Sequence, residues 1–167
     1  MITKKVVLIG DFATGKTSLI RRYVDNQFSD DYLTTIGVKI SKKNLQLSEE
    51  LELQLMIWDI EGRTDVKETN PSYVLGAHGI ILVGDITRKS SIEHIPIHYD
   101  FVRKLLKKVP IVIALNKSDL INNQTIIQMS VLKLKESLEE IVDVFETSAK
   151  ASKNVDEIFV TLSKAML

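Results

Sequence analysis

Residues 6–24 constrain the fold more than any other stretch. A short aliphatic run, Val6-Val7-Leu8-Ile9, meets the turn Gly10-Asp11-Phe12-Ala13-Thr14-Gly15-Lys16-Thr17, which leads into Ser18-Leu19-Ile20-Arg21-Arg22-Tyr23-Val24. The first run has the length and composition of a buried strand. In the last, Leu19, Ile20, Tyr23 and Val24 recur at helical spacing, with Arg21 and Arg22 off that face. Strand, glycine-rich turn and helix at G-x-x-x-x-G-K-[ST] spacing make a phosphate-binding P-loop. Backbone N–H groups of such a turn converge on an anion, and the helix start adds partial positive charge. Gly15 permits close backbone approach, Lys16 supplies a point charge for terminal phosphates, and Thr17 offers a hydroxyl to Mg²⁺. The competing reading is a plain capping turn. The complete motif, with a strand before it and a helix after it, argues against that reading.

The rest of the chain alternates in the same way. Residues 26–37 are polar and read as a loop. Val38-Lys39-Ile40, Leu45-Gln46-Leu47 and the alternating Leu51, Leu53, Leu55 and Ile57 predict a hairpin with a polar tip, hence one antiparallel strand. Residues 59–71 are polar, and 72–77 continue as a short helix. Residues 79–83, 111–115 and 142–145 read as further strands. Residues 90–107 and 125–139 read as helices, the first kinked or restarted at Pro96. A last helix carries Val155, Ile158, Phe159, Leu162 and Met166 on one stripe, with Asn154 as its cap. The expectation is one α/β domain over residues 1–167. It is three-layered, with a six-stranded, mostly parallel sheet, one antiparallel strand and helices on both faces. Ligands of such sheets bind at the carboxyl ends of the strands, where Gly10, Asp59, Asn116 and Ser148 fall.

Composition removes several classes. Lys+Arg and Asp+Glu are both 22, so there is no global pull toward nucleic acid or anionic membrane. There is no cysteine, which excludes disulfides and thiolate metal sites and fits a cytoplasmic chain. Apolar runs are too short for a membrane span. Neither Ile2 nor the cysteine-free end offers a lipidation signal, so membrane association would need a lipidated tail beyond this sequence or recruitment by partners.

Two further motifs lie on other predicted strands. Asp59-Ile60-Glu61-Gly62 gives D-x-x-G, a carboxylate at a strand end suited to Mg²⁺ together with a P-loop threonine. Asn116-Lys117-Ser118-Asp119 gives N-K-x-D. Its carboxylate can accept from the ring N–H and the exocyclic amine of guanine, a paired donor edge that adenine lacks. Thr147-Ser148-Ala149-Lys150 follows the last strand, where a backbone N–H could reach the guanine oxygen.

With these motifs in this order, the chain resembles a small GTPase of the Ras superfamily along its whole length. The segments Thr34-Thr35-Ile36-Gly37-Val38, Ile57-Trp58-Asp59 and Ser72-Tyr73 through Ile81 look most like the Rab branch. The resemblance implies GTP or GDP held with Mg²⁺ by Asp11, Phe12, Ala13, Thr14, Gly15, Lys16, Thr17, Ser18, Phe28, Tyr32, Thr35, Gly62, Asn116, Lys117, Asp119, Leu120, Ser148, Ala149 and Lys150. It implies metal ligation by Thr17, Thr35 and Asp59. In particular, Thr35 would contact Mg²⁺ and the γ-phosphate, Tyr32 would cover the phosphates, Phe28 would pack on the base and Lys117 would lie along it. Lys16, Thr35 and Gly62, with Glu61 and Arg63, are the catalytic candidates. Two switch loops would be held by the γ-phosphate and relax after hydrolysis, and a monomer would present them to effectors, an exchange factor and an activating protein.

Three residues depart from the family pattern. Arg63 stands where most members carry a water-orienting glutamine, and arginine donates but cannot accept. Glu61 stands where a small residue is usual, and Phe12 puts a ring in the P-loop. Arg63 can be read as a cis arginine, Glu61 as a base or water-positioning group or as Arg63's ion-pair partner, and both as exposed loop residues without a catalytic part. His78, His94 and His98 show no ligand spacing with acidic partners and read as structural or surface residues. Arg103, Lys104, Lys107 and Lys108 read as a solvated basic face. The functional expectation is a guanine-nucleotide switch with slow hydrolysis. The rivals are a binding module that hydrolyses little, and a P-loop ATPase or kinase, against which N-K-x-D argues.

Overall fold

The computed structural model describes residues 1–31 and 34–167; Tyr32, expected over the phosphates, lies outside the described residues. Six strands run in the order β2-β3-β1-β4-β5-β6. They are β1 (Ile2–Ile9), β2 (Val38–Ser48), β3 (Leu51–Ile60), β4 (Gly79–Asp85), β5 (Ile111–Asn116) and β6 (Asp143–Glu146). Only β2 pairs antiparallel, against β3, and the other pairings are parallel. The helices are α1 (Lys16–Asp25), α2 (Pro71–Val74), α3 (Lys89–Glu93), α4 (Ile95–Leu105), α5 (Gln124–Ser137) and α6 (Val155–Ala165).

Strand alternation divides the core into two layers. Val6 and Leu8 join Leu19, Tyr23, Ile158 and Phe159 under α1 and α6. Val7 and Ile9 join Ile95, Val102, Ile127 and Leu134 under α4 and α5. Each fully buried aliphatic side chain contributes about 1.5–3 kcal/mol relative to exposure. The Tyr23 and Phe159 rings stack at 3.9 Å between centroids with 6° between planes, and this locks α1 to α6. Central β1 has β3 on one side and β4 on the other, so chain connections diverge at its carboxyl end. That divergence opens the crevice in which the P-loop sits.

Several boundaries differ from expectation. β2 is continuous from Val38 to Ser48 and includes Ser41-Lys42-Lys43-Asn44, whose polar run hid the strand. An edge strand tolerates this composition, and edge lysines disfavour unwanted pairing. β3 extends to Ile60, so Asp59 lies inside the strand end. Pro96 marks a restart: α3 and α4 are separate, and proline stands in the first turn of α4, where its missing N–H costs little. Asn154 precedes α6 but makes no side-chain cap. Its φ is 54°, and Nδ2 donates to the Glu146 carbonyl at 2.8 Å instead.

Candidate nucleotide site

A cavity of about 270 Å³ opens at the carboxyl edge of the sheet. It is lined by Phe12, Ala13, Thr14, Gly15, Lys16, Thr17 and Ser18 from the P-loop and α1, by Phe28, Thr35 and Gly62, and by Asn116, Lys117, Asp119, Leu120, Ala149 and Lys150. Three motifs far apart in sequence thus meet in one crevice.

Lys16 lies along the P-loop and donates to the Gly10 and Asp11 carbonyls at 3.0 and 2.8 Å. Burial lowers its pKa to about 8, against the opposing pull of Asp59 and Asp11. Gly15 has φ 95°, and a Cβ there would stand 2.2 Å from Asn116 Nδ2. Glycine is therefore required both by the backbone conformation and by the close approach of the β5 loop. Gly62 packs onto the other end of the loop, where a Cβ would lie 2.6 Å from Lys16 Nζ and 2.9 Å from Phe12 Cα.

Beside Lys16, Thr17 Oγ1 and Thr35 Oγ1 both donate to Asp59 Oδ2, at 2.6 and 3.1 Å, and are 2.6 Å apart. The other carboxylate oxygen, Asp59 Oδ1, is buried without a hydrogen-bond partner. Burial raises the Asp59 pKa, an effect that both hydroxyls and Lys16 oppose. One orphaned carboxylate oxygen with two hydroxyls forms a hard oxygen donor set that fits Mg²⁺. Among the described residues no group of three His, Cys, Asp or Glu is placed to hold a metal, so any ion here would keep several non-protein ligands.

At the opposite end, Asn116 bridges two loops. Its Nδ2 donates to the Thr14 carbonyl at 3.1 Å, while Oδ1 accepts from Thr147 Oγ1 and the Ala149 N–H at 3.2 and 3.3 Å. Lys117 donates to the Ala13 carbonyl at 2.8 Å and pairs with Asp85 at 2.8 Å. Burial alone would raise the Asp85 pKa, but Lys117 and Thr87 hold it below the usual range. Ser148 is fully buried and does not line the cavity; its Oγ donates to Asp119 Oδ1 at 2.7 Å and aims that carboxylate. Arg22 of α1 ties the following loop down through the Ala149 and Lys150 carbonyls at 2.8 and 3.0 Å. The helical pattern of α1 gave no hint of this role, because an arginine off the apolar face looks merely solvated. Phe28 both lines the cavity and packs on the core.

Glu61 and Arg63 do not line this cavity. Arg63 donates to Glu61 at 3.0 Å and to Glu68 at 3.3 Å. Glu61 Oε2 also accepts from the Gly37 N–H at 3.3 Å, and the Glu61 N–H donates to the Gly37 carbonyl at 2.8 Å. Glu61 therefore forms a latch between the loop after Thr35 and the loop after Asp59, and Arg63 holds Glu61 in place from within the second loop.

His94 and His98 are structural, but they have an acidic partner that the sequence did not show. His94 Nδ1 and His98 Nε2 meet the two carboxylate oxygens of Asp11 at 2.6 and 2.8 Å. Asp11 is 2% exposed, so its side chain points beneath the P-loop and away from the cavity. Burial lowers the His98 pKa despite Asp11. The i, i+4 spacing of the histidines was legible, but their acidic partner lies 83 residues upstream of His94 and no local pattern reveals it. His78 accepts from the Lys5 N–H at 3.0 Å and is structural, as expected. Arg103 caps loops at the Val109 and Glu140 carbonyls, while Lys104, Lys107 and Lys108 are exposed.

The sheet order, the P-loop after β1 and the N-K-x-D loop after β5 define a small P-loop GTPase fold. The Ras family model matches residues 5–167. Ras-related protein Rab-1 of Theileria annulata is 34% identical over 164 residues, covering 97% of this chain and 73% of that protein. GTP-binding protein ypt5 of Schizosaccharomyces pombe is 35% identical over 169 residues, covering 99% and 78%. Ras-related protein Rab-1C of Dictyostelium discoideum is 36% identical over 160 residues, covering 95% and 78%. The chain belongs to the Ras family and is a small GTPase of the Rab type.

Proposed function

We propose that the protein binds GTP and GDP with Mg²⁺, hydrolyses GTP slowly, and presents its switch loops to effectors and regulators. The observation that carries this reading is the convergence of Asn116, Lys117 and Asp119 on the cavity that the P-loop lines. Asp119, aimed by Ser148, reads the guanine edge; Phe28 and Lys117 flank the base. Ala13, Thr14, Gly15 and Lys16 hold the phosphates, and Ser18, Leu120, Ala149 and Lys150 complete the walls. Thr17, Thr35 and Asp59 hold Mg²⁺, which supplies charge neutralisation at the phosphates when bound. Lys16 and the Gly62 backbone stabilise the terminal phosphoryl group, a reaction that depends on positioning and charge. Asp11 acts from beneath the loop through its carbonyl and the two histidines.

The partner reading is supported by exposed apolar side chains on the switch side, among them Ile36 at 84% exposure and Leu75. Among the described residues no helix is long and apolar enough to cross a membrane, so membrane attachment is assigned to partners or to a lipidated tail. The Glu61–Gly37 latch and the Arg63 side chain turned from the cavity favour a second reading: a GTP-binding interaction module with little hydrolysis.

Nucleotide extraction from purified protein, GTP and ATP titrations with and without Mg²⁺, and single-turnover phosphate release test both. Guanine selectivity with turnover no faster than an order of 10⁻⁴ s⁻¹ is expected. Equal affinity for ATP overturns the guanine assignment, and guanine binding without phosphate release selects the module.

A further inference from the structure

Three successive carbonyls of the P-loop receive side-chain donors from outside the turn. Lys117 Nζ donates to Ala13 at 2.8 Å, and Asn116 Nδ2 to Thr14 at 3.1 Å. Arg88 Nη2 donates to Phe12. The described peptide bonds are all trans, so each N–H points opposite to the carbonyl of the preceding residue. The carbonyls of residues 12–14 are thus each taken up by a side chain, and the N–H groups on the opposite side of those peptides, from Ala13, Thr14 and Gly15, are left for a ligand of the cavity that these residues line.

Lys117 and Asn116 belong to the N-K-x-D loop, but Arg88 belongs to no motif. It is the residue before α3, just beyond the end of β4. Its target lies at the terminal-phosphate end of the loop, because Gly62 closes on Phe12 Cα and Lys16 Nζ there. Among the described residues Arg88 has no carboxylate partner, whereas Lys117 shares its charge with Asp85 and Arg63 is tied to Glu61 and Glu68. The Arg88 charge is felt at Lys16.

We propose that Arg88 is a positioning residue for phosphoryl transfer, an inference that rests on the GTPase reading. Its guanidinium fixes the Phe12–Ala13 peptide from behind and polarises it, which makes the Ala13 N–H a stronger donor toward the phosphates. In hydrolysis a water oxygen bonds to the γ-phosphorus while the bond from that phosphorus to the β–γ bridging oxygen breaks. The electron pair stays on the β-phosphate of GDP; one of the water's two protons remains on the new inorganic phosphate, and the other passes to that phosphate or to solvent. A donor strengthened at this end of the cradle stabilises that accumulating charge. The arginine thus acts through a backbone peptide and does not itself enter the cavity.

The test compares wild type, Arg88→Ala and Arg88→Lys. Three quantities are read: the single-turnover GTP cleavage rate, the GDP dissociation rate, and the Ala13 amide proton shift in ¹⁵N-alanine-labelled, GDP-loaded protein. Arg88→Ala should slow cleavage about tenfold, a modest share of the effect of losing a direct transition-state donor. It should change GDP release less than about twofold and move the Ala13 amide proton upfield, indicating a weaker hydrogen bond. Arg88→Lys should restore most of the rate and of the shift. Unchanged cleavage in Arg88→Ala with active wild type overturns this inference alone. So does an unmoved Ala13 resonance, or GDP release accelerated in proportion to the loss of cleavage, which would make Arg88 a structural tie. Wild-type protein that binds GTP but releases no phosphate overturns this inference together with hydrolysis itself.

Discussion

The two ends of the cavity are built differently. At the base end, Asn116, Lys117, Asp119 and Ser148 form a network that spans three loops, buried at Asn116 and Ser148 and open to the cavity at Lys117 and Asp119, and it is pinned by Arg22 from α1. At the switch end, the loops after Thr35 and Asp59 are joined by Glu61, through two hydrogen bonds to the Gly37 backbone, and Arg63 braces Glu61 by ion pairs within the second loop whose side chains are partly or largely exposed. Buried satisfied networks are strong and specific. Exposed ion pairs contribute about 0–1 kcal/mol. On the proposed function, base recognition would fall to the end tied into the scaffold, and the element that changes with nucleotide state would be held by two hydrogen bonds to Gly37 and by exposed ion pairs. A switch needs this division, because a ligand shifts only an equilibrium whose states are closely balanced.

The largest expected effect breaks the rigid end. Asp119→Asn should weaken GTP binding by an order of 10²- to 10⁴-fold, the loss of two hydrogen bonds to a charged acceptor. It should favour xanthine nucleotides, whose ring carries an oxygen where guanine has its amine. Equilibrium titration with both nucleotides checks this, and unchanged GTP affinity would remove Asp119 from the base site.

Next in size is the pH dependence of phosphate recognition. Lys16 is held at about 8 by burial, and a bound phosphate favours its charged form. Below that value the lysine is already charged and affinity is flat. Above it, binding must take up a proton, and affinity should fall about tenfold per pH unit until the bound-state pKa is passed. Guanosine, without phosphates, should show no such slope between pH 8 and 9. Equal slopes for GTP and guanosine would place the titrating group elsewhere.

A smaller effect is expected at the soft end. Arg63→Gln removes two partly exposed ion pairs and Glu61→Ala removes one, so single-turnover hydrolysis should stay within about fivefold of wild type in each. A rise beyond tenfold in Arg63→Gln would mean that the missing amide limits the rate. A fall beyond tenfold would mean that Arg63 reaches the phosphates in the working state.

The same division explains what the sequence disclosed. The P-loop, D-x-x-G and N-K-x-D motifs are contiguous, and each is fixed by the strand end that presents it, so sequence spacing carries the geometry. The sheet and its antiparallel edge followed from hydrophobic alternation. Contacts across the chain were not legible: Arg22 on the loop after β6, Arg88 on Phe12, and His94 and His98 on Asp11 are separated by 76 to 128 residues. The polar interior of β2 also escaped, because an edge strand needs no apolar face at every turn of the pleat.

The smallest effect probes whether the terminal-phosphate end of the P-loop is itself soft or only the switch loops are. His98 is 2% exposed, donates to Asp11, and leaves Nδ1 buried without a partner. Asp11, His94 and Lys16 are the charged or titratable groups that act on it, and burial outweighs the attraction of Asp11 to keep its pKa below 6.5. In the unfolded chain His98 protonates near its ordinary value, about 6.5. Between the folded and unfolded values the unfolded state binds more protons, so stability should fall as pH drops below about 6.5 and level off below the folded value. His98→Gln keeps a donor for Asp11 and removes the titration. Denaturant midpoints at pH 8, 7, 6 and 5.5 should therefore fall more steeply in wild type than in the variant, with the two nearly coincident at pH 8. If the neutral histidine is instead replaced in the folded state by an Asp11-paired imidazolium, the sign reverses. Wild type would then gain stability relative to His98→Gln on acidification, and the brace beneath the P-loop would be a charge pair that tightens as pH falls.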